Sequence, residues 1–369
     1  MCLRLVGSEM CIRDRYSMVK ISLNENVSKL KEKSKAKNTQ DKYQGDWLKF
    51  IDYCKNKYNC SPLDVDDLDS AYALTANYMD WLHEDPEAKI LKGSSNIPGR
   101  ENVNNNPYSS TAYKASTIQR ILASITYKYR VNGFQFDRKN PNISETISAI
   151  VRDEKNNKSG QARELLKADI EKIIDKIPND NEDFRNIRDR ALILIGFYSF
   201  CRRSELLGMK YEHLNFEEDG VQVLIPFSKT DQKGEGRMIY LPKTNNDYCP
   251  VKALKDWLEV ALIDQGPLFY KINKANNIEK YILNNKNQKI SLTDTSFVLI
   301  LKKRAREADL DNCDKISGHS LRIGSITQAR MNGVPTHEIM AQSGHKTTQM
   351  IDRYTKLSNI KETSAAKKI

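Results

Sequence analysis

The chain has little of what a secreted, membrane or metal-built protein needs. Its seven cysteines (Cys2, Cys11, Cys54, Cys60, Cys201, Cys249 and Cys313) are scattered, odd in number and include no C-x-x-C pair. That usage reads as reduced thiols in an intracellular protein, with neither a disulfide framework nor a zinc site. No apolar run approaches the roughly 18 residues a membrane span requires. The opening stretch MCLRLVGSEMCIRDR is broken by charges and has no signal-peptide core. No carboxylate trio stands in a context that would hold catalytic metal ions, so neither a metal nor any other cofactor is expected. The segment LVGSEMCIRDR has the wording of a translated sequencing adapter, so residues 1–17 are read as non-native and Met18 as the natural start; a native N-terminal tail is the alternative.

What is present is length, helix and positive charge. At 369 residues the chain is comfortable for two domains and long enough to bury proper cores. Hydrophobic residues make up 39% and charged residues 29%, the balance of a globular protein, and the net charge is +11. Such a surplus favours polyanions, because each neutralised phosphate releases condensed counterions.

Helical periodicity dominates residues 25–151. Tyr43, Trp47, Phe50, Ile51 and Cys54 form one apolar stripe, Tyr72 to Leu82 a second, and Ile118, Ile121, Leu122, Ile125 and Tyr129 a third, with a short helix near Ile143 to Val151. Core packing accounts for these stripes. Residues 92–107 read as a loop and 152–163 (RDEKNNKSGQAR) as an interdomain linker. A second domain spans 164–358, followed by a tail over 359–369. There Leu166 to Ile177 is helical, Asp180 or Asn181 is placed to cap the next helix, and its ALILIGFY run marks a central, all-round apolar helix. The period then switches. Val221–Phe227 and Arg237–Leu241 read as two strands around the charged turn KTDQKGEG, and helical patterns resume from Pro250 through Tyr354. The expected class is mainly α with a small β-sheet.

Six residues of this second domain carry chemistry: Arg202 in FCRRSEL, Lys229 in SKTDQKGEG, His319 and Arg322 in GHSLRIG, and His345 and Tyr354 in SGHKTTQMIDRY. Displacing a phosphodiester oxygen builds charge on oxygens that are already anionic, so catalysis needs positive donors there and a proton for the leaving group. Arginine's planar fork suits two phosphate oxygens at once. His319 and Arg322, three apart, share a helix face, and His319 falls near a helix start, which favours an anion. Cations around Tyr354 would lower its pKa from about 10 and assist attack, and Lys229 on a hairpin tip could protonate the departing oxygen.

In wording and order these motifs resemble the tyrosine recombinase (phage integrase) family, strongly over about 165–358. Arg202 matches the family's first arginine in a G-x-R-x-S-E-L context, with Glu205 at the acidic position behind it. Lys229 matches the hairpin lysine, His319 and Arg322 the H-x-x-R pair, His345 the second histidine and Tyr354 the nucleophile. Two departures stand out: Phe200 replaces the glycine, and Arg203 stands beside Arg202. Ser204-Glu205-Leu206 fixes the register on Arg202; a register on Arg203 is the alternative. The resemblance implies an N-terminal helical core-binding domain over 25–151 and an α+β catalytic domain over 164–358. It also implies strand cleavage and rejoining through a 3′-phosphotyrosyl intermediate without metal or ATP, by four protomers on two DNA duplexes. Glu205 is expected to orient an arginine. In the first domain Lys114, Arg120, Lys128 and Arg130 are candidate phosphate contacts, forming the second half of a clamp around DNA. Leu357 and Ile360 are candidates to dock on a neighbouring protomer. His213, His337, Tyr240 and Tyr248 fit no motif and are read as structural. The rival readings are a type IB topoisomerase-like enzyme, a DNA-binding protein that keeps the fold without turnover, and, more distantly, a metal-dependent transposase.

Overall fold

A computed structural model describes residues 37–84, 113–156, 162–179, 182–226, 236–280 and 291–352. Residues 1–17, the turn carrying Lys229, Tyr354, Leu357 and Ile360 all lie outside the described residues. The chain divides into two compact units, 1–159 and 160–369.

Among the described residues the first unit holds four helices, α1 (Lys37–Tyr58), α2 (Leu68–Glu84), α3 (Ala115–Val131) and α4 (Pro141–Asn156). The expected stripes face one core: Phe50, Cys54, Tyr78, Ile118, Leu122, Ile125 and Tyr129 are buried. Aromatic rings fill its centre. Tyr129 stacks on Phe136 at 4.8 Å and meets Trp47 edge-on at 5.6 Å, arrangements that use the ring quadrupole as well as area. α4 continues to Asn156, so the expected linker start at residue 152 is corrected: 152–156 complete a helix. A polar composition hid a helix end that has no apolar stripe of its own.

The second unit surrounds α6 (Phe184–Tyr198), which follows α5 (Lys167–Lys176). Ala191 through Phe197 are all buried, as an all-round apolar helix requires. The cap of α6 is Asp183, whose carboxylate accepts from the Arg185 amide at 2.9 Å, rather than Asp180 or Asn181. Next come the short α7 (Arg203–Leu207) and a three-stranded antiparallel sheet, β1 (Leu214–Phe216), β2 (Gly220–Ile225) and β3 (Arg237–Pro242). β1 was too short to show a period. In β2–β3, Val223 pairs with Ile239 and Ile225 with Arg237, and Val221, Val223, Ile225, Ile239 and Leu241 point into the core. Strand alternation therefore puts Arg237 on the inward face as the polar end of an apolar row. Among the described residues, α8 (Pro250–Val260), α9 (Asp294–Glu307), α10 (Ser320–Met331) and α11 (Thr336–Ser343) follow. Gly324 lets α10 pass the backbone of Leu165, whose carbonyl oxygen would stand 1.7 Å from a Cβ at that position. A further helical segment over 348–352 anchors Ile351 against Ile326 and Ile339.

Candidate active site

The turn between α6 and α7 sets the first arginine. Phe200 there adopts a left-handed backbone, φ +55°, a conformation that costs a non-glycine residue about 1–2 kcal/mol. Its carbonyl accepts from Arg322 Nη1 at 2.5 Å and its ring packs on the Ile326–Ile339–Ile351 cluster, which together hold the turn. The glycine missing from the motif is thus a conformational requirement that this chain meets at a cost in strain.

Arg202 follows in extended backbone as the N-cap of α7 (φ −66°, ψ 151°). Glu205 reaches back to it twice: Oε2 accepts from the Arg202 amide at 2.9 Å and Oε1 from the Arg202 Nη1 at 2.8 Å. The first contact is the glutamate half of a capping box. Arg203 begins the helix and leaves in another direction, pairing with Asp294 at 2.7 Å and lying over Gly318. The doublet is separated because the chain changes conformation between its two members.

Glu205 has a second cation that sequence reasoning missed. Arg237 Nη2 donates to Oε2 at 2.9 Å. Burial alone would raise the Glu205 carboxyl; the hydrogen bonds and charge of Arg237, then Arg202, prevail and hold it at about 2. An arginine on the inward face of a strand was the available signal, since a buried cation must find a carboxylate.

Arg322, on α10, is buried. Its Nη1 donates to the carbonyls of Phe200 and Ser343, at 2.5 and 2.9 Å, and its Nη2 faces His345 Nε2 at 2.9 Å. Burial, then the neighbouring Arg202, lowers its pKa to about 10. His345 follows Gly344, the left-handed C-cap of α11 (φ +70°). Arginine only donates, so His345 Nε2 accepts and Nδ1 carries the proton toward Ser343 Oγ, 2.8 Å away. Burial, then Arg322, Arg202 and Arg237, lowers the imidazole to about 4, so it is neutral near pH 7. His319, the N-cap of α10, is the solvent-facing member of the set. Lost hydration, then Arg322, Arg203 and Arg202, lowers its pKa as well. Gln342 frames the group: it donates to the carbonyls of Tyr198 and Tyr240 at 3.2 and 2.9 Å, tying α11 to α6 and β3.

The structure therefore brings Arg202, Arg322 and His345 together around Glu205, with Arg237 added and the exposed His319 beside the arginines. Among the described residues two guanidinium groups pair with the Glu205 carboxylate, and the third, that of Arg322, meets its charge without a direct bond. Such a surplus of buried positive charge, against neutral imidazoles, is suited to receive an anion. Elsewhere, Tyr248 bonds Asp175 at 2.9 Å and His213 Nδ1 accepts from the Lys210 amide at 3.2 Å, whereas His337 is an exposed side chain. In the first unit Arg120 forms a forked pair with Asp46, Arg130 Nε donates to the Phe136 carbonyl at 3.0 Å, and Lys128 donates to Gln44 at 2.8 Å.

The sequence model described as the phage integrase family matches residues 163–360. The chain belongs to this family, that of the tyrosine recombinases. An integrase/recombinase XerD homolog of Selenomonas ruminantium is 31% identical over 363 residues, spanning 95% of this chain and 93% of that protein. The tyrosine recombinase XerA of Pyrococcus furiosus is 22% identical over 67% of this chain and 71% of its own. Among solved structures, the post-cleavage complex of the XerH site-specific recombinase on a palindromic difH substrate superposes with a TM-score of 0.55 at 16% identity, covering 90% of this chain and 79% of that one. The Tn1549 transposon integrase bound to transposon right-end DNA gives 0.54 at 14% identity, covering 89% and 92%. At these identities the shared property is the fold. Among the described residues no helix is long and apolar enough to cross a membrane.

Proposed function

We propose that this chain is a site-specific DNA recombinase or integrase that cuts and rejoins strands through a 3′-phosphotyrosyl link to Tyr354. The observation that supports this most is the unbalanced cluster of Arg202, Arg322 and Arg237 on Glu205, with His345 and His319 beside it. Arg202, His319, Arg322 and His345 are assigned to the phosphate, with the two arginines spreading the charge that builds on its non-bridging oxygens. His345, held neutral by burial and its cationic neighbours, can turn a ring N–H to an oxygen once the phosphate displaces Arg322 from Nε2. Lys229, in the connection between β2 and β3, is assigned to protonate the 5′ oxygen as it leaves. Ile351, three residues before Tyr354 in the sequence, is anchored on α10 and α11.

The energy of the broken bond stays in the tyrosyl ester, so rejoining by a 5′ hydroxyl from a partner duplex needs neither ATP nor metal in this reading. Double-stranded DNA is the partner, with four protomers on two duplexes, and the protein works inside the cell where its target DNA lies. The core-binding role of the first unit belongs to the same proposal. The test uses nicked suicide duplexes tiled from the DNA flanking the coding sequence, in EDTA. The wild-type chain is expected to give a covalent protein–DNA species and Tyr354→Phe none. An adduct that persists in Tyr354→Phe refutes the nucleophile. An adduct without recombination between two marked duplexes favours a topoisomerase-like enzyme.

A further inference from the structure

Arg237 lies outside the six motif positions, yet three separate contacts converge on it. Its Nη2 donates to Glu205 Oε2 at 2.9 Å, while Arg202 Nη1 holds the opposite oxygen at 2.8 Å. Its guanidinium lies on Gly344, the residue before His345, where an added Cβ would come within 2.9 Å of Nη1 and 3.0 Å of Cζ. Nη2 also points to Cys201 Sγ at 3.6 Å, beside the strained Phe200 turn. The side chain is 15% exposed, and its Nε and Nη1 are buried with no hydrogen-bond partner. Those two donors face protein, so Arg237 does not reach out to a ligand. Neutralising Glu205 would need one ammonium; the planar fork adds a flat body wedged between the α6–α7 turn and the α11–His345 turn.

We propose that Arg237 is a positioning residue of the site: it sets the Arg202 guanidinium through the shared Glu205 carboxylate and sets the His345 turn through its seat on Gly344. The proposal rests on the recombinase reading above only for its activity readout. The charged groups that face His345 are Arg322 from α10, Arg202 from the α6–α7 turn, Glu205 from α7 and Arg237 from β3, with Ser343 Oγ on its Nδ1. Losing Arg237 removes one of three cations from the imidazole and frees the loop under it.

The experiment compares the full chain with Arg237→Met, Arg237→Lys and the double variant Glu205→Gln/Arg237→Met. Two quantities are followed: the His345 titration by NMR, assigned by its loss in His345→Gln, and the single-turnover rate of adduct formation with the nicked flanking duplexes at matched folded fraction. In Arg237→Met the His345 pKa is expected to rise and the rate to fall about 100-fold, the cost of a roughly 1 Å misplacement, with duplex affinity unchanged. Arg237→Lys should restore the titration but not the rate, because it restores charge and not shape. The double variant should fold well and remain slow. An unshifted His345 in Arg237→Met overturns the proposal, as does full recovery of rate in Arg237→Lys or in the double variant, since each would reduce Arg237 to a counter-charge. Should the wild-type chain give no adduct while Arg237→Met still shifts His345, the recombinase reading falls and the positioning role stands.

Discussion

Two buried arginine–carboxylate clusters sit in the second unit, and they are built on opposite principles. In one, Asp189 accepts from Arg188 at 2.7 and 3.0 Å and from Arg304 at 2.8 Å, and Arg304 finishes on Asn186 at 2.7 Å and Glu307 at 3.0 Å. Two guanidinium groups meet two carboxylates, and neither arginine leaves a buried donor unpaired. In the other, Arg202, Arg237 and Arg322 crowd one carboxylate, Glu205, and Arg237 keeps two unpaired buried donors. The first cluster is closed and can only hold α6 to α9. Among the described residues the second is short of negative charge, a deficit that a phosphate would fill. Charge balance, rather than burial, separates a strut from a site.

Breaking one member of each cluster should give opposite results. Asp189→Ala strands two buried cations and is expected to cost about 3–5 kcal/mol of stability, read by denaturant unfolding, with little change in strand-cleavage rate per folded molecule. Arg202→Ala relieves repulsion with Arg322 and leaves Glu205 paired to Arg237, so its stability should change by less than about 1 kcal/mol. Its cleavage rate should drop about 100- to 1000-fold, the usual loss for one transition-state donor. An Arg202→Ala protein as unstable as Asp189→Ala would erase the distinction between the clusters.

How much of this could be read beforehand follows from the range of each interaction. Helices announced themselves because their stripes are local: Ile118 to Tyr129 and the ALILIGFY run face the core as their periods require. Arg202, His319, Arg322 and His345 were legible through motif wording, which encodes local backbone as well as chemistry. Arg237 was not, because its partner Glu205 is 32 positions away and is reached only once the β2–β3 register turns the strand end inward. Gln342 was missed for the same reason, since its partners Tyr198 and Tyr240 are set by tertiary packing. The linker start failed differently: 152–156 have helical backbone but a composition that resembles a loop.

The unbalanced cluster should also leave a pH signature. His345 titrates at about 4 in the folded chain and near about 6.5 when unfolded. Between those values the unfolded chain binds the extra proton, so stability is full above about 6.5 and falls as pH drops toward 4. Glu205 follows in the next window, with a folded value of about 2 against about 4.3 unfolded. Its contribution is present above about 4.3 and is lost as pH falls through 2. His345→Gln should flatten the upper window and Glu205→Gln the lower one in pH-dependent unfolding curves. If both variants keep the wild-type profile, the imidazole and carboxyl are not held where the geometry puts them.

The smallest effects separate strut from contact in the first unit, where the same question recurs among the candidate phosphate-binding residues. Arg120 is forked on Asp46, which is only 8% exposed, and Arg130 is committed to the Phe136 carbonyl. Arg120 is satisfied by charge and resembles the balanced cluster, whereas Arg130 meets only a neutral carbonyl. Lys128 holds only the neutral, exposed amide of Gln44, a partner that a phosphate would readily displace, and Lys114 stands at the N-cap of α3. Lys128→Gln should therefore lower the salt slope of duplex binding by about one unit without touching stability, and Lys114→Gln should lower the slope by a similar amount. Arg120→Gln should do the reverse, unpairing a buried carboxylate while leaving the slope alone. A slope that drops with Arg120→Gln and not with Lys128→Gln would mean that duplex binding breaks the Asp46 pair, and that charge balance in the free protein does not mark where DNA is held.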